Sequence, residues 1–247
     1  MSGRDAEGSV VVVVEAVAPR GVGPGDLAGL SDGERARVAE ASSWVAVSRA
    51  AGYRLVRAVL GERLGTRPGA VRLDRTCPGC GRAHGRIRVL DDPALSVSVS
   101  RAGRPPGAGT PARVGPPVVA VAVTRLAPVG LDLAWAGEPD FAGFDDVARH
   151  PEDGGLDAAV LWARKEASLK AVGSGLTIDP ASFPAPRPGA VTRLGPDDAP
   201  VVVSDLDPDR LTALVGGRGV VPPLVGAVAL CRPDPSVPVD LTQRRAA

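Results

Sequence analysis

The chain has 247 residues, a formal net charge of +1, 44% hydrophobic residues and 3% aromatics. Such a length suits one large domain, or two of about 100–150 residues, and is enough to bury a sizeable core. A charge this close to zero gives no global electrostatic case for a nucleic-acid or membrane partner, and no stretch reaches the ~20 apolar residues of a membrane span.

Gly 31 and Pro 25 point to many loops around an aliphatic core of Ala, Val and Leu. The three cysteines are an odd number, which argues against a disulfide scaffold and for a reducing compartment, with the cytoplasm as the expected location. The Val10–Val14 run follows Arg4, Asp5 and Glu7, so it reads as a buried strand over 9–17 and not as a signal peptide. Ser31 is placed to cap a helix, with Glu34 completing a capping box. Helical periodicity then runs over 33–64 through Val38, Val45, Leu55, Val56, Val59 and Leu60, as two helices broken near Ser42. Arg49, Arg54, Arg57 and Arg63 decorate them.

Val71–Leu73 and Ile87–Leu90 read as strands around a turn that carries Cys77, Cys80 and His84. C-x2-C-x3-H invites a zinc reading. Structural zinc wants four ligands, however, the second pair is missing, and Cys231 is the only other thiol. The expectation is a Gly/Pro-rich turn with buried thiols. Leu95–Ser100 alternates with period two, as a half-buried strand does. Residues 102–117 form a Pro/Gly/Ala loop, expected to be mobile, whose Arg104 and Arg113 read as solvated. Val118–Thr124 and Val129–Leu133 read as strands joined at Ala127-Pro128 into a hairpin. In the second of them, period two places Asp132 and Ala134 on one face.

Residues 136–156, with Phe141, Phe144 and His150, suggest a loop and a short helix, the histidine packing at the surface or in the loop. Leu161–Leu176 reads as a helix with Trp162, Glu166 and Lys170 at i, i+4 and i+8, stopped by Gly173 and Gly175. Lys165 and Lys170 are the only lysines among 29 basic side chains. Arginine stays protonated, whereas a lysine pKa can be tuned for proton transfer. Spacing alone describes a surface Glu–Lys pair. Val191–Leu194, Val201–Val203 and Leu224–Cys231 read as strands, and the tail from about 232 as disordered.

The series Trp162, Lys165, Glu166, Ala167, Lys170, Gly173, Gly175 and Leu176 resembles the signature helix of the 4′-phosphopantetheinyl transferases, in their two-lobed actinobacterial form. Members move the phosphopantetheine arm of coenzyme A onto a serine of an acyl or peptidyl carrier protein. Residues 77–86 and Gly130-Leu131-Asp132 are similar to further family segments. The resemblance implies an α+β fold of two pseudo-symmetric halves, 1–127 and 128–247, with the nucleotide between them. It also implies a monomer that depends on Mg²⁺.

By the same resemblance, Asp132 and Glu166 are the metal ligands, Glu166 the base, and Lys170 the acid and charge stabiliser. Arg49, Arg86, Arg101, Lys165 and Lys170 are the coenzyme A contacts, and 136–156 is part of the carrier-docking surface. The chain departs from the family at four points. The usual arginine falls on Ser48 beside Arg49, a Lys-Pro pair becomes Arg86-Ile87, a histidine becomes Arg101, and the second carboxylate of the metal strand becomes Ala134. A metal would then gain a water or borrow Glu138 or Asp140. Two other readings start from these departures and from the cysteines. One is a relative that binds coenzyme A or carrier protein without transfer, and the other is an interaction module stapled by zinc on Cys77, Cys80 and His84.

Overall fold

The computed structural model describes residues 8–18, 20–103, 115–139, 142–215, 222–234 and 239–243. Arg104, Arg113, Asp140 and Phe141 lie outside the described residues. Strand β1 (Val10–Ala16) is β-branched along most of its length, which suits a pleated buried surface. It pairs antiparallel with β5 (Val118–Thr124) and parallel with β10 (Val239–Gln243). Beyond β5 come β4 (Ser96–Ala102) and the two-residue strands β3 (Arg88–Val89) and β2 (Leu73–Asp74), giving the order β10-β1-β5-β4-β3-β2. A second, antiparallel sheet runs β6-β9-β8-β7, from β6 (Val129–Trp135), β9 (Leu224–Leu230), β8 (Ala199–Leu206) and β7 (Val191–Leu194).

Six α-helices are found among the described residues: α1 (Pro24–Leu27), α2 (Asp32–Ala39), α3 (Ser43–Leu64), α4 (Phe144–Ala148), α5 (Ala158–Val172) and α6 (Pro208–Leu214). Two sheets with helices laid on them make the protein α+β, as expected. No described helix is long and apolar enough to cross a membrane.

The layers follow from period-two alternation. One face of the first sheet carries Val97, Val119, Val121 and Val123, which meet Leu55, Val56, Val59 and Leu60 of α3. Its other face carries Val10, Val12, Val14, Ala120 and Ala122, which meet Leu131, Leu133 and Trp135 of β6 together with Leu224, Val228 and Leu230 of β9. The far face of the second sheet takes Ala163, Ala167, Leu169 and Ala171 of α5. The order of layers is α3, first sheet, second sheet, α5.

A serine seam joins the sheets. β6 lies at the edge of its sheet, and its outward N–H groups would otherwise be buried without partners. Ser96, Ser98 and Ser100 of β4 accept hydrogen bonds from Val129 N, Leu131 N and Leu133 N at 2.9, 3.0 and 3.0 Å. The alternation of β4 thus places valine towards α3 and a hydroxyl acceptor at every second position towards β6.

The capping box forms as expected: Ser31 Oγ accepts from Glu34 N and the Glu34 carboxylate accepts from Ser31 N at 2.8 Å. The break between α2 and α3 falls at 40–42. Several expectations need correction. β5 and β6 do not form a hairpin, because both edges of β5 are taken by β1 and β4, and the chain crosses to the other sheet. β2 and β3 are shorter than expected, since Val71 closes a 3₁₀ turn at Pro68–Ala70 and gives its carbonyl to Arg57. The expected disordered tail contains β10, which extends the first sheet alongside β1.

Candidate active site

Helix α5 starts on Asp157, whose carboxylate accepts from Ala159 N at 3.0 Å and Val160 N at 3.3 Å. It ends on Gly173, whose φ of +87° is a left-handed cap that favours glycine. Gly130 on β6 lets the helix lie close, because a Cβ there would run into the carbonyl of Ala167. Small residues on both sides thus bring the last turns of α5 against β6, and Lys170 arrives opposite Asp132.

Lys170 Nζ lies 2.6 Å from Asp132 Oδ1, 3.1 Å from Leu131 O and 4.0 Å from Glu166 Oε2. Ser100 Oγ donates to the same Asp132 oxygen at 2.8 Å, so the innermost member of the serine seam also orients the carboxylate. Burial pushes the Glu166 carboxyl above its ordinary range; Lys170 works against that rise and Asp132 adds to it. These residues form a pair of acidic groups, one in a desolvated setting, with an ammonium between them. Ala134 offers no oxygen. Glu138 is fully engaged, accepting from Gly103 N at 2.9 Å and Trp135 N at 3.0 Å, so it ties the strand ends together and is not free for a metal. Two carboxylates, with water and phosphate oxygens, satisfy a Mg²⁺ ion, and the donor set at Asp132 and Glu166 fits that ion.

Lys165 needs correction as a phosphate or pantetheine contact. It is completely buried, with Nζ 2.7 Å from Asp153 Oδ2, 2.7 Å from Ala148 O and 2.9 Å from Pro180 O, and it lies over the Phe183 ring. Nothing of its ammonium is left for a ligand. Trp162 packs edge-on to Phe144, with ring centroids 6.0 Å apart. His150 is a loop residue whose Nδ1 accepts from Glu152 N at 3.2 Å.

The arginines divide into two groups. Arg54 pairs with Glu15 and Asp26, and Arg57 is buried against Glu34, so both belong to the scaffold. Arg86 donates to Lys170 O at 2.7 Å and to Ala171 O, capping the carbonyl end of α5, where positive charge is favoured. Its Nη2 thus positions the helix that carries Lys170, while its Nε is buried without a hydrogen-bond partner. Arg49 and Arg101 do come together. Arg49 adds like charge beside Arg101, whose guanidinium lies over Gly52 of α3.

Sequence reasoning missed Arg75, which stacks over Tyr53 at 5.2 Å and has Arg101 and Arg37 as charged neighbours. Burial lowers its pKa, and its Nε and Nη2 are buried without a hydrogen-bond partner. A cationic cluster with idle N–H donors is ready for an anion. Its only trace in the sequence is an arginine just ahead of the cysteine turn. Ser100 and Arg101 are adjacent on β4, so one strand end serves both the acidic group and the arginines.

The cysteine turn also differs from expectation, since Cys77 is only half-buried and Cys80 is exposed. Cys80 Sγ lies 2.9 Å from His84 Nε2, and Cys77 Sγ accepts from the N–H groups of Cys80 and Gly79.

Compared with known proteins, the chain matches no family model and no curated protein.

Proposed function

We propose that this chain transfers the 4′-phosphopantetheine arm of coenzyme A to a serine hydroxyl of a carrier protein, with Mg²⁺ held by Asp132 and Glu166. The observation that carries this reading is the convergence of Asp132, Glu166 and Lys170 where α5 meets the edge of the second sheet. The two sheets, each with one long helix, also suit a two-halved transferase with a nucleotide between the halves.

The reaction joins the serine oxygen to the β-phosphorus of coenzyme A and breaks that phosphorus's bond to the adenosine bisphosphate, which leaves. Glu166, whose carboxyl burial holds above the ordinary range, takes the serine proton directly or through a water. Lys170 meets the charge that grows on the leaving phosphate. Asp132, fixed by Ser100, keeps the ammonium in place. Arg49, Arg75 and Arg101 bind the nucleotide phosphates. When bound, Mg²⁺ neutralises pyrophosphate charge.

The test is the intact mass of an apo carrier protein after incubation with this protein, coenzyme A and Mg²⁺. The expected result is a gain of one phosphopantetheine that disappears with Glu166→Gln and with Lys170→Ala. Coenzyme A binding with no mass gain on several carriers would favour the second reading, a binder without transfer, which rests on Ala134 supplying no metal oxygen.

A further inference from the structure

The loop between β2 and β3 holds a group that the acidic site does not use. The Sγ atoms of Cys77 and Cys80 and a ring nitrogen of His84 all lie within 4.8 Å of one another. A tetrahedral zinc ion with bonds of about 2.3 Å to sulfur and 2.0–2.1 Å to nitrogen sets such atoms roughly 3.6–3.8 Å apart. The three ligands therefore need only small rotations about their side-chain bonds to close on an ion.

The backbone is already shaped for this. Cys77 N donates to Arg82 O at 2.7 Å, Gly81 N donates to Cys77 O at 2.9 Å, and Gly81 takes a φ of +70°. That tight turn aims the N–H groups of Gly79 and Cys80 at the Cys77 sulfur, where they stabilise a thiolate. Gly85 N closes the loop on Arg75 O at 2.7 Å, and Gly85 has no room for a side chain, since a Cβ would lie 2.9 Å from Thr76 O. A soft thiolate pair with an imidazole selects zinc over magnesium or calcium.

We propose that Cys77, Cys80 and His84 bind a zinc ion, with water as the fourth ligand. Binding converts two thiols to thiolates, releases their two protons to solvent, and uses the neutral imidazole. Among the described residues no further Cys, His, Asp or Glu joins the group. The ion staples the loop that runs from Arg75 to Arg86. One end of that loop points idle N–H donors into the arginine cluster, and the other caps α5 beside Lys170. The zinc site does not depend on the transferase reading, because its ligands are separate from Asp132, Glu166 and Lys170.

The test is elemental analysis of the full chain, purified from zinc-supplemented culture without chelator and dialysed against metal-free buffer. Stoichiometric zinc is expected. It should be lost in Cys80→Ala and reduced in His84→Ala, with circular dichroism unchanged because both side chains are exposed. Cobalt added to the stripped protein should give a thiolate-to-metal absorption band that Cys80→Ala abolishes. Three outcomes would overturn the proposal: no retained zinc, zinc retained equally in Cys80→Ala, or a two-hydrogen mass loss that marks a Cys77–Cys80 disulfide in place of metal.

Discussion

Lys165 and Lys170 sit on one helix and have opposite surroundings. Side chains five positions apart on an α-helix point about 140° away from each other, so one turn of α5 can serve two purposes. Lys165 points into the segments that wrap the helix start, where Asp153, two carbonyls and an aromatic ring enclose it. Lys170 points to the seam between the sheets and keeps 29% of its side-chain surface accessible. A buried ammonium whose donors are all spoken for holds structure together. A half-exposed ammonium between two carboxylates can exchange partners with a substrate. The same residue type, on the same element, is scaffold at one place and chemistry at the other.

The comparison breaks most visibly at Lys165. Lys165→Met leaves Asp153 as a buried, uncompensated charge, and stability should fall by about 3–5 kcal/mol, read as a lower urea midpoint. At Lys170 the effect on folding should be smaller, because Asp132, although buried, keeps its Ser100 hydrogen bond, and the ammonium it loses is itself partly exposed. Lys170→Met should cost about 1–3 kcal/mol by the same measurement, while carrier-protein loading is lost. Similar stability losses at both positions would erase the distinction.

Glu166→Gln sharpens the comparison with the smallest effect on folding. Because burial raises the folded pKa of Glu166, the folded state holds its proton more tightly than the unfolded chain. Its contribution to stability is full below the unfolded pKa and is lost as pH rises through the folded value. At neutral pH, in chelator, Glu166→Gln should therefore melt at or slightly above the temperature of the parent. Adding Mg²⁺ should raise the melting temperature of the parent only. The loading rate of the parent should fall as pH drops through a midpoint above the ordinary glutamate range. Equal Mg²⁺ stabilisation of both forms would remove Glu166 from the metal site.

Much of the local structure was legible in the residues. The span of β5 was legible from its run of valines and alanines. The capping box at Ser31 and Glu34, the break before α3 and the stop at Gly173 depend on hydrogen bonds between neighbours three or four residues apart. The candidate helix was legible for the same reason, and so was the pairing of Glu166 with Lys170. Neither Asp153 nor Ser100 could be read as a partner, since each is far along the chain from the lysine or carboxylate it serves.

The sequence by itself determined most of the longer helices and strands and which residue types carry charge, because those follow from local spacing; β10 was not among them, since it forms only by pairing with β1. Only the tertiary structure decided what each charge faces. It moved β6 out of a hairpin because β5 had no free edge, and it turned alternate serines of β4 into the seam between sheets. It enclosed Lys165 while leaving Lys170 partly open, sent Arg86 to a helix end, and brought Arg75 and Arg101 from other elements against α3, which carries Arg49. Burial and charge pairing are set by contacts across long stretches of chain, and identical residues acquire different roles only once those contacts form.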